Sequence, residues 1–179
     1  MVIDVRRHAE RASGAGAIGG LSAAGLATAR RLQRQGEGFA LVISSPRERA
    51  RSAAMAMADR VDEIEPILDV APDETLTQDQ FDTLRSQDAV AELLRSSTAA
   101  RRFAEDQLSL WERVGGRVAD GGARALLVTH GGNIELPAVL LATRLGTSID
   151  PLPLEYCEGV RVCFEAGRPV ALERLRADQ

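Results

Sequence analysis

Two histidines, His8 and His130, are all the imidazole this chain has, and its 22 basic side chains are all arginine because the sequence contains no lysine. His8 directly follows Arg6 and Arg7, while His130 precedes Gly131 and Gly132. A neutral imidazole can attack phosphorus, and arginine forks can hold the charged oxygens of a phosphoryl group while it does so. The same inventory removes other chemistries. Without lysine no Schiff-base enzyme and no P-loop of the ordinary kind is expected. Cys157 and Cys163 lie six positions apart and neither histidine has a CxxC or HExxH neighbourhood, so no metal site is expected.

Elements must bring these groups together. Val2 to Val5 reads as a buried strand that ends in charged residues. Ser22 is placed to cap a helix whose apolar stripe is Leu26, Ala29 and Leu32. Residues 39–43 read as a second buried strand, after which Ser45, Pro46 and Glu48 have the spacing of a capping box that opens a helix through Met55 and Met57. Ile64 to Val70 is expected to be an edge strand, because Pro66 is poorly tolerated in a central one. An acidic loop over 71–85 follows, then one or two helices over 86–119 with Trp111 and Val114 facing inward. Residues 125–129 read as a further buried strand, followed by a helix carrying Ile134, Val139, Leu140 and Leu141. Two strands, 160–164 and 170–175, close the chain around a turn.

This alternation predicts an α/β fold: a three-layer α/β/α sandwich with a mostly parallel central sheet and a C-terminal antiparallel edge. At 179 residues a single domain over 1–179 is expected. Both histidines then stand at the C-terminal end of a buried strand, where open α/β sheets bind their ligands. Arg49 falls in the first turn of the helix after the second strand, near backbone N–H groups that favour anions. Two imidazoles, Arg7, Arg49 and a helix N-terminus make a pocket suited to a phosphoryl group.

Four ordered blocks carry a family resemblance. Arg7-His8-Ala9 resembles the RHG motif of the histidine phosphatase superfamily, which includes the cofactor-dependent phosphoglycerate mutases. Leu21-Ser22-Ala23-Ala24-Gly25 resembles its L-[ST]-x-x-G helix start, Ser44 to Ala50 its SSP-x-x-RA block, and Thr129-His130-Gly131-Gly132 its [ST]-H-G-G motif. The resemblance implies that His8 accepts the phosphoryl group, that Arg7 and Arg49 bind its oxygens, and that His130 contacts it and stabilises the transition state. It also implies a short phosphatase branch, since the mutases of this family are longer.

Two departures stand out. Ala9 replaces the motif's glycine, and Val70 stands where the simplest alignment puts the glutamate that protonates the leaving oxygen. Asp69, Asp73 and Glu74 are near enough to replace it, with Asp73 and Glu74 presented by a turn at Pro72. Glu10 is expected to pair with Arg6 or Arg11 instead. Gly14 to Gly19 spells a literal GxGxxG, but it neither follows a strand directly nor opens a helix, so a loop over the site is expected rather than a dinucleotide site.

The expected activity is metal- and cofactor-independent hydrolysis of phosphate monoesters, or of phosphohistidine on a protein, through a covalent phosphohistidine on His8. The alternative is a catalytically weak phosphate-ligand binding or regulatory module of the same fold. A net charge of -4 argues against nucleic acid or an anionic membrane as partner. The opening residues show neither a charged leader nor a long apolar run, so a cytoplasmic setting with free thiols is expected.

Overall fold

A computed structural model describes residues 1–12, 20–35, 38–72, 75–117 and 123–177. Its sheet has six strands in the order β3-β2-β4-β1-β5-β6. They are β1 (Val2–Arg7), β2 (Leu41–Ser44), β3 (Glu63–Ile64), β4 (Arg124–Thr129), β5 (Gly159–Glu165) and β6 (Arg168–Leu175). The first four in spatial order run parallel, and β5 and β6 add an antiparallel edge. The helices are α1 (Ala23–Gln35), α2 (Glu48–Ala58), α3 (Gln78–Thr83), α4 (Gln87–Ser96), α5 (Thr98–Arg117) and α6 (Glu135–Leu145).

Alternation along the strands divides the core. On β1 the side chains of Ile3 and Val5 enter the larger cluster, with Trp111 and Val114 of α5 and much of α6. The opposite face of β2 and β4 supplies Val42, Leu126 and Val128 to a smaller cluster with Ala29 and Leu32 of α1 and Ala50, Ala53 and Met57 of α2. Helices therefore cover both faces, which is the expected three-layer arrangement. The small alanines let α1 and α2 lie close to the sheet. Asp4, on that second face of β1, is 1% exposed and bonds to Arg124 at 2.7 Å and Arg161 at 2.8 Å. Burial pushes its carboxyl up, but the Arg161 and Arg124 guanidiniums outweigh this and hold it below the ordinary range.

Three local expectations fail for visible reasons. The run from Ile64 to Val70 is not a strand: β3 ends at Ile64, and Pro66–Leu68 is a 3-10 turn whose start is capped by the Glu65 side chain. The stretch 71–85 is not all loop, since α3 lies within it behind a capping box formed by Thr77 and Gln80. Ser45 forms no capping box with Glu48; α2 starts at Glu48 without a side-chain cap, and the Ser45 hydroxyl is used elsewhere.

Both cysteines are free thiols. Among the described residues no helix is long and apolar enough to cross a membrane, and no group of three His, Cys, Asp or Glu side chains is arranged to hold a metal ion. The GxGxxG stretch lies outside the described residues, as do Asp73 and Glu74.

Candidate active site

Sheet register brings the chemistry together. Arg7 of β1 is level with Thr129 of β4, and Ser44 of β2 with Val128, so three parallel strands end side by side. The next residues, His8, His130 and Ser45, leave the sheet at one place. The His8 backbone N–H donates to the Thr129 carbonyl at 2.9 Å, and the Ser45 N–H to that of Val128 at 2.9 Å. The His8 and His130 ring centroids are 5.2 Å apart, edge to face. They line a cavity of about 390 Å³ with Arg7, Arg11, Arg49 and Tyr156. A larger groove of about 640 Å³ between α1 and α2 contains no imidazole; the chemistry, not the volume, singles out the smaller one.

The hydrogen bonds define the state of His8. Its Nδ1 is 2.8 Å from the Ala9 carbonyl, which can only accept, so Nδ1 carries the proton and Nε2 the lone pair. Arg49, placed by the first turn of α2, donates its Nε–H to that lone pair at 3.1 Å. Burial first, then the Arg49, Arg7 and Arg11 charges, pull the His8 pKa down to about 4 against the opposing bond to Ala9. His8 is a neutral imidazole at physiological pH. The Ala9 methyl, where the motif has glycine, is fully buried in the smaller core cluster.

Arg7 is clamped for recognition. Its Nη1 donates to the Leu154 carbonyl at 2.6 Å, and its guanidinium carbon lies 4.6 Å from the Tyr156 ring centroid and 5.9 Å from that of Phe81. Its Nε is buried without a hydrogen-bond partner, and so is Nδ1 of His130. A buried polar atom left unpaired costs free energy that a ligand can recover, and these two belong to residues of one cavity wall. Burial, then the neighbouring charges of Arg49, His8, Arg47 and Arg7, lower the His130 pKa to about 2. Arg11 also faces the cavity.

The turn after His130 has its own support. Gly132 adopts φ +84, a conformation glycine allows, and an added Cβ there would meet Leu76 at 2.9 Å. The buried Glu135 carboxylate accepts from the Gly132 N–H at 2.6 Å and the Leu154 N–H at 3.0 Å. It therefore holds both the turn and the backbone that clamps Arg7.

The structure thus brings His8, Arg7, Arg49 and His130 together. Asp69 points elsewhere, into an ion pair with Arg47 at 2.5 Å. Glu10 accepts from Ser22 Oγ at 2.6 Å rather than pairing with Arg6 or Arg11. Asp82, on α3, is a carboxylate of the cavity wall that sequence reasoning missed, as it missed Ser45, Asn133, Glu135 and Tyr156. Asn133 and Glu135 had a signal in their closeness to His130 and the two glycines. Tyr156 had none, since a loop far along the chain delivers it.

No family model matches this sequence, and no curated protein does. Solved structures match over nearly the whole chain. A phosphoserine phosphatase from Entamoeba histolytica, in complex with phosphoserine, superposes with a TM-score of 0.67 at 17% identity, covering 98% of this chain and 97% of that one. A phosphoglycerate mutase from Bacillus anthracis gives 0.66 at 17% identity, with 94% and 89% coverage. The protein histidine phosphatase SixA, complexed with tungstate, gives 0.60 at 16% identity, with 99% and 97% coverage. Likeness at this level of identity establishes a shared fold.

Proposed function

We propose that this chain, whose fold is that of the histidine phosphatase superfamily, hydrolyses phosphate monoesters, or phosphohistidine on a protein, through a covalent phosphohistidine on His8. It acts as one domain over 1–179 in a cytoplasmic setting. The observation that carries this reading is the cavity's pairing of a neutral His8, with its lone pair on Nε2, and two buried nitrogens lacking hydrogen-bond partners, Arg7 Nε and His130 Nδ1.

The chemistry follows from those atoms. His8 Nε2 forms a bond to phosphorus as the bond from phosphorus to the leaving oxygen, or nitrogen, breaks. Arg7, Arg49 and His130 hold the three equatorial oxygens, where charge accumulates. Arg49 turns its Nε–H from the His8 lone pair to a phosphoryl oxygen, which unmasks the nucleophile when the ligand arrives. Water then attacks phosphorus as the P–N bond breaks, its proton passing to the group that protonated the leaving atom or to solvent, and His8 returns to its neutral form. Neither a metal nor an organic cofactor takes part. The proton for an alkoxide leaving group comes from a protonated carboxyl group, that of Asp73 or Glu74 or, within the described cavity wall, of Asp82. A phosphoramidate leaving group needs this proton from the protein less, which supports phosphohistidine as a substrate.

Turnover of para-nitrophenyl phosphate, inhibited by vanadate, tests the reading. His8→Ala is expected to lower kcat at least a thousandfold, on the order seen when a nucleophile is deleted, and the wild type to take up an acid-labile label on His8. Vanadate binding with no turnover and no label from several phosphate donors would overturn it in favour of the binding module. Comparison of Asp73→Asn, Glu74→Gln and Asp82→Asn on alkyl and aryl esters identifies the acid: the correct variant loses more on the alkyl ester.

A further inference from the structure

Ser45 lies at the start of the α2 connection, yet its side chain serves another strand. Its Oγ is 2.8 Å from Nε2 of His130, across 85 positions of sequence, and both residues are buried. The register of β2 on β4 brings the two residues side by side, because Ser44 is level with Val128 and each chain leaves the sheet within two residues.

The proton positions on this contact are determined by counting. The Arg47 backbone N–H donates to Ser45 Oγ at 3.2 Å, which leaves the hydroxyl proton to be placed. Ser45 is 0% exposed, and the one other partner of its hydroxyl is His130 Nε2. If Nε2 accepts that proton, His130 carries its own proton on Nδ1, and only that N–H lacks a partner. If Nε2 were instead the protonated nitrogen, the serine hydroxyl would be a buried donor without an acceptor and Nδ1 a buried acceptor without a donor. The first arrangement leaves one group unsatisfied, the second two.

The geometry points to Ser45 as a positioning residue that fixes His130 as the Nδ1–H tautomer, so that a neutral N–H is presented to an oxyanion in the cavity. The strongly lowered basicity of His130 fits this role, since the ring donates a hydrogen bond without becoming a cation. The inference rests on the proposed function only for the identity of the oxyanion. The tautomer itself belongs to the ligand-free protein.

Having only two histidines makes the test direct. In a long-range ¹H–¹⁵N spectrum of the imidazoles, with His8→Asn to assign the signals, wild-type His130 is expected to be Nδ1-protonated. Saturating orthovanadate is expected to shift its Nδ1 resonance. Ser45→Ala is expected to give mixed tautomers and at least a tenfold loss of kcat with KM changed less than threefold, and Ser45→Thr, which keeps the hydroxyl, to recover most of both. A wild-type His130 protonated on Nε2 overturns the inference, as does an Nδ1 resonance unmoved by vanadate. Ser45→Ala with unchanged tautomer and unchanged kcat does so too. Should neither variant fold, the wild-type spectra with and without vanadate still decide. An Nδ1–H tautomer with a vanadate shift but no phosphoester turnover supports this inference while refuting the proposed function.

Discussion

The turn over 131–134 and the connection over 65–72 both border the cavity, but different partners hold them. The turn is fixed from within: Gly132 supplies the backbone conformation, and Glu135, one turn of chain later, accepts its N–H. The connection is fastened by side chains from elsewhere. Thr129 donates its hydroxyl to the Leu68 carbonyl at 2.8 Å, Gln107 donates to the Ile67 carbonyl, and Asn133 both donates to Asp69 O at 2.5 Å and accepts from Ala71 N at 3.2 Å. One of those side chains, Asn133, sits in the turn. Asn133 thus couples the two segments, while the turn has in Glu135 an anchor that the connection does not supply.

Acid should disturb most the strand ends that carry the two histidines. Both histidines have pKa values lowered from 6.5, to about 4 for His8 and about 2 for His130, so the unfolded chain binds protons first as pH falls. The stability that comes from keeping them neutral is complete above about pH 6.5 and is lost towards pH 4, by up to about 1.4 kcal/mol per pH unit for each ring. Urea melts at pH 7 and pH 4.5 should differ by roughly 2–5 kcal/mol on this account, and His8→Asn should remove part of the difference. By the same sign, the acid limb of kcat/KM should lie near pH 4 rather than 6.5, as far as His8 governs it.

Glu135→Ala leaves two buried N–H groups, of Gly132 and Leu154, without their acceptor. A loss of about 3 kcal/mol is expected in denaturant melts, with kcat falling too because the Leu154 carbonyl clamps Arg7. Asn133→Ala should cost less, about 1–2 kcal/mol. It should raise amide exchange at Ala71 and leave Leu136 protected; equal loosening of both would mean that turn and connection are one unit. Asp69→Asn should change stability by no more than about 1 kcal/mol, because its pair with Arg47 is partly solvated. It should also leave alkyl and aryl ester turnover within about twofold, whereas a selective alkyl loss would restore Asp69 as the acid.

The strands that position the site were legible because their apolar runs are buried on both faces, as at 41–44 and 124–129. The helix starts were harder. Ser45 and Thr77 both stand three residues before a side chain suited to a capping box, yet only Thr77 forms one. The difference is tertiary: His130 Nε2 stands within reach of Ser45, and no pattern local to 44–50 reveals that. His8, Arg7, Arg49 and His130 could be read from spacing because strand ends converge in any parallel sheet. Asp82 and Tyr156 could not, since a six-residue helix and a loop beyond α6 bring them in.

The chain's one tyrosine has a further consequence. The Tyr156 ring lies 4.6 Å from the Arg7 guanidinium carbon and 5.7 Å from the His8 ring centroid, while the one tryptophan, Trp111, is buried in the core under α5. A phenol's ultraviolet spectrum responds to the charge against its face, and an oxyanion that neutralises Arg7 changes that charge. The protein thus carries an intrinsic optical label at its own cavity, so occupancy can be titrated by difference absorbance with no dye attached.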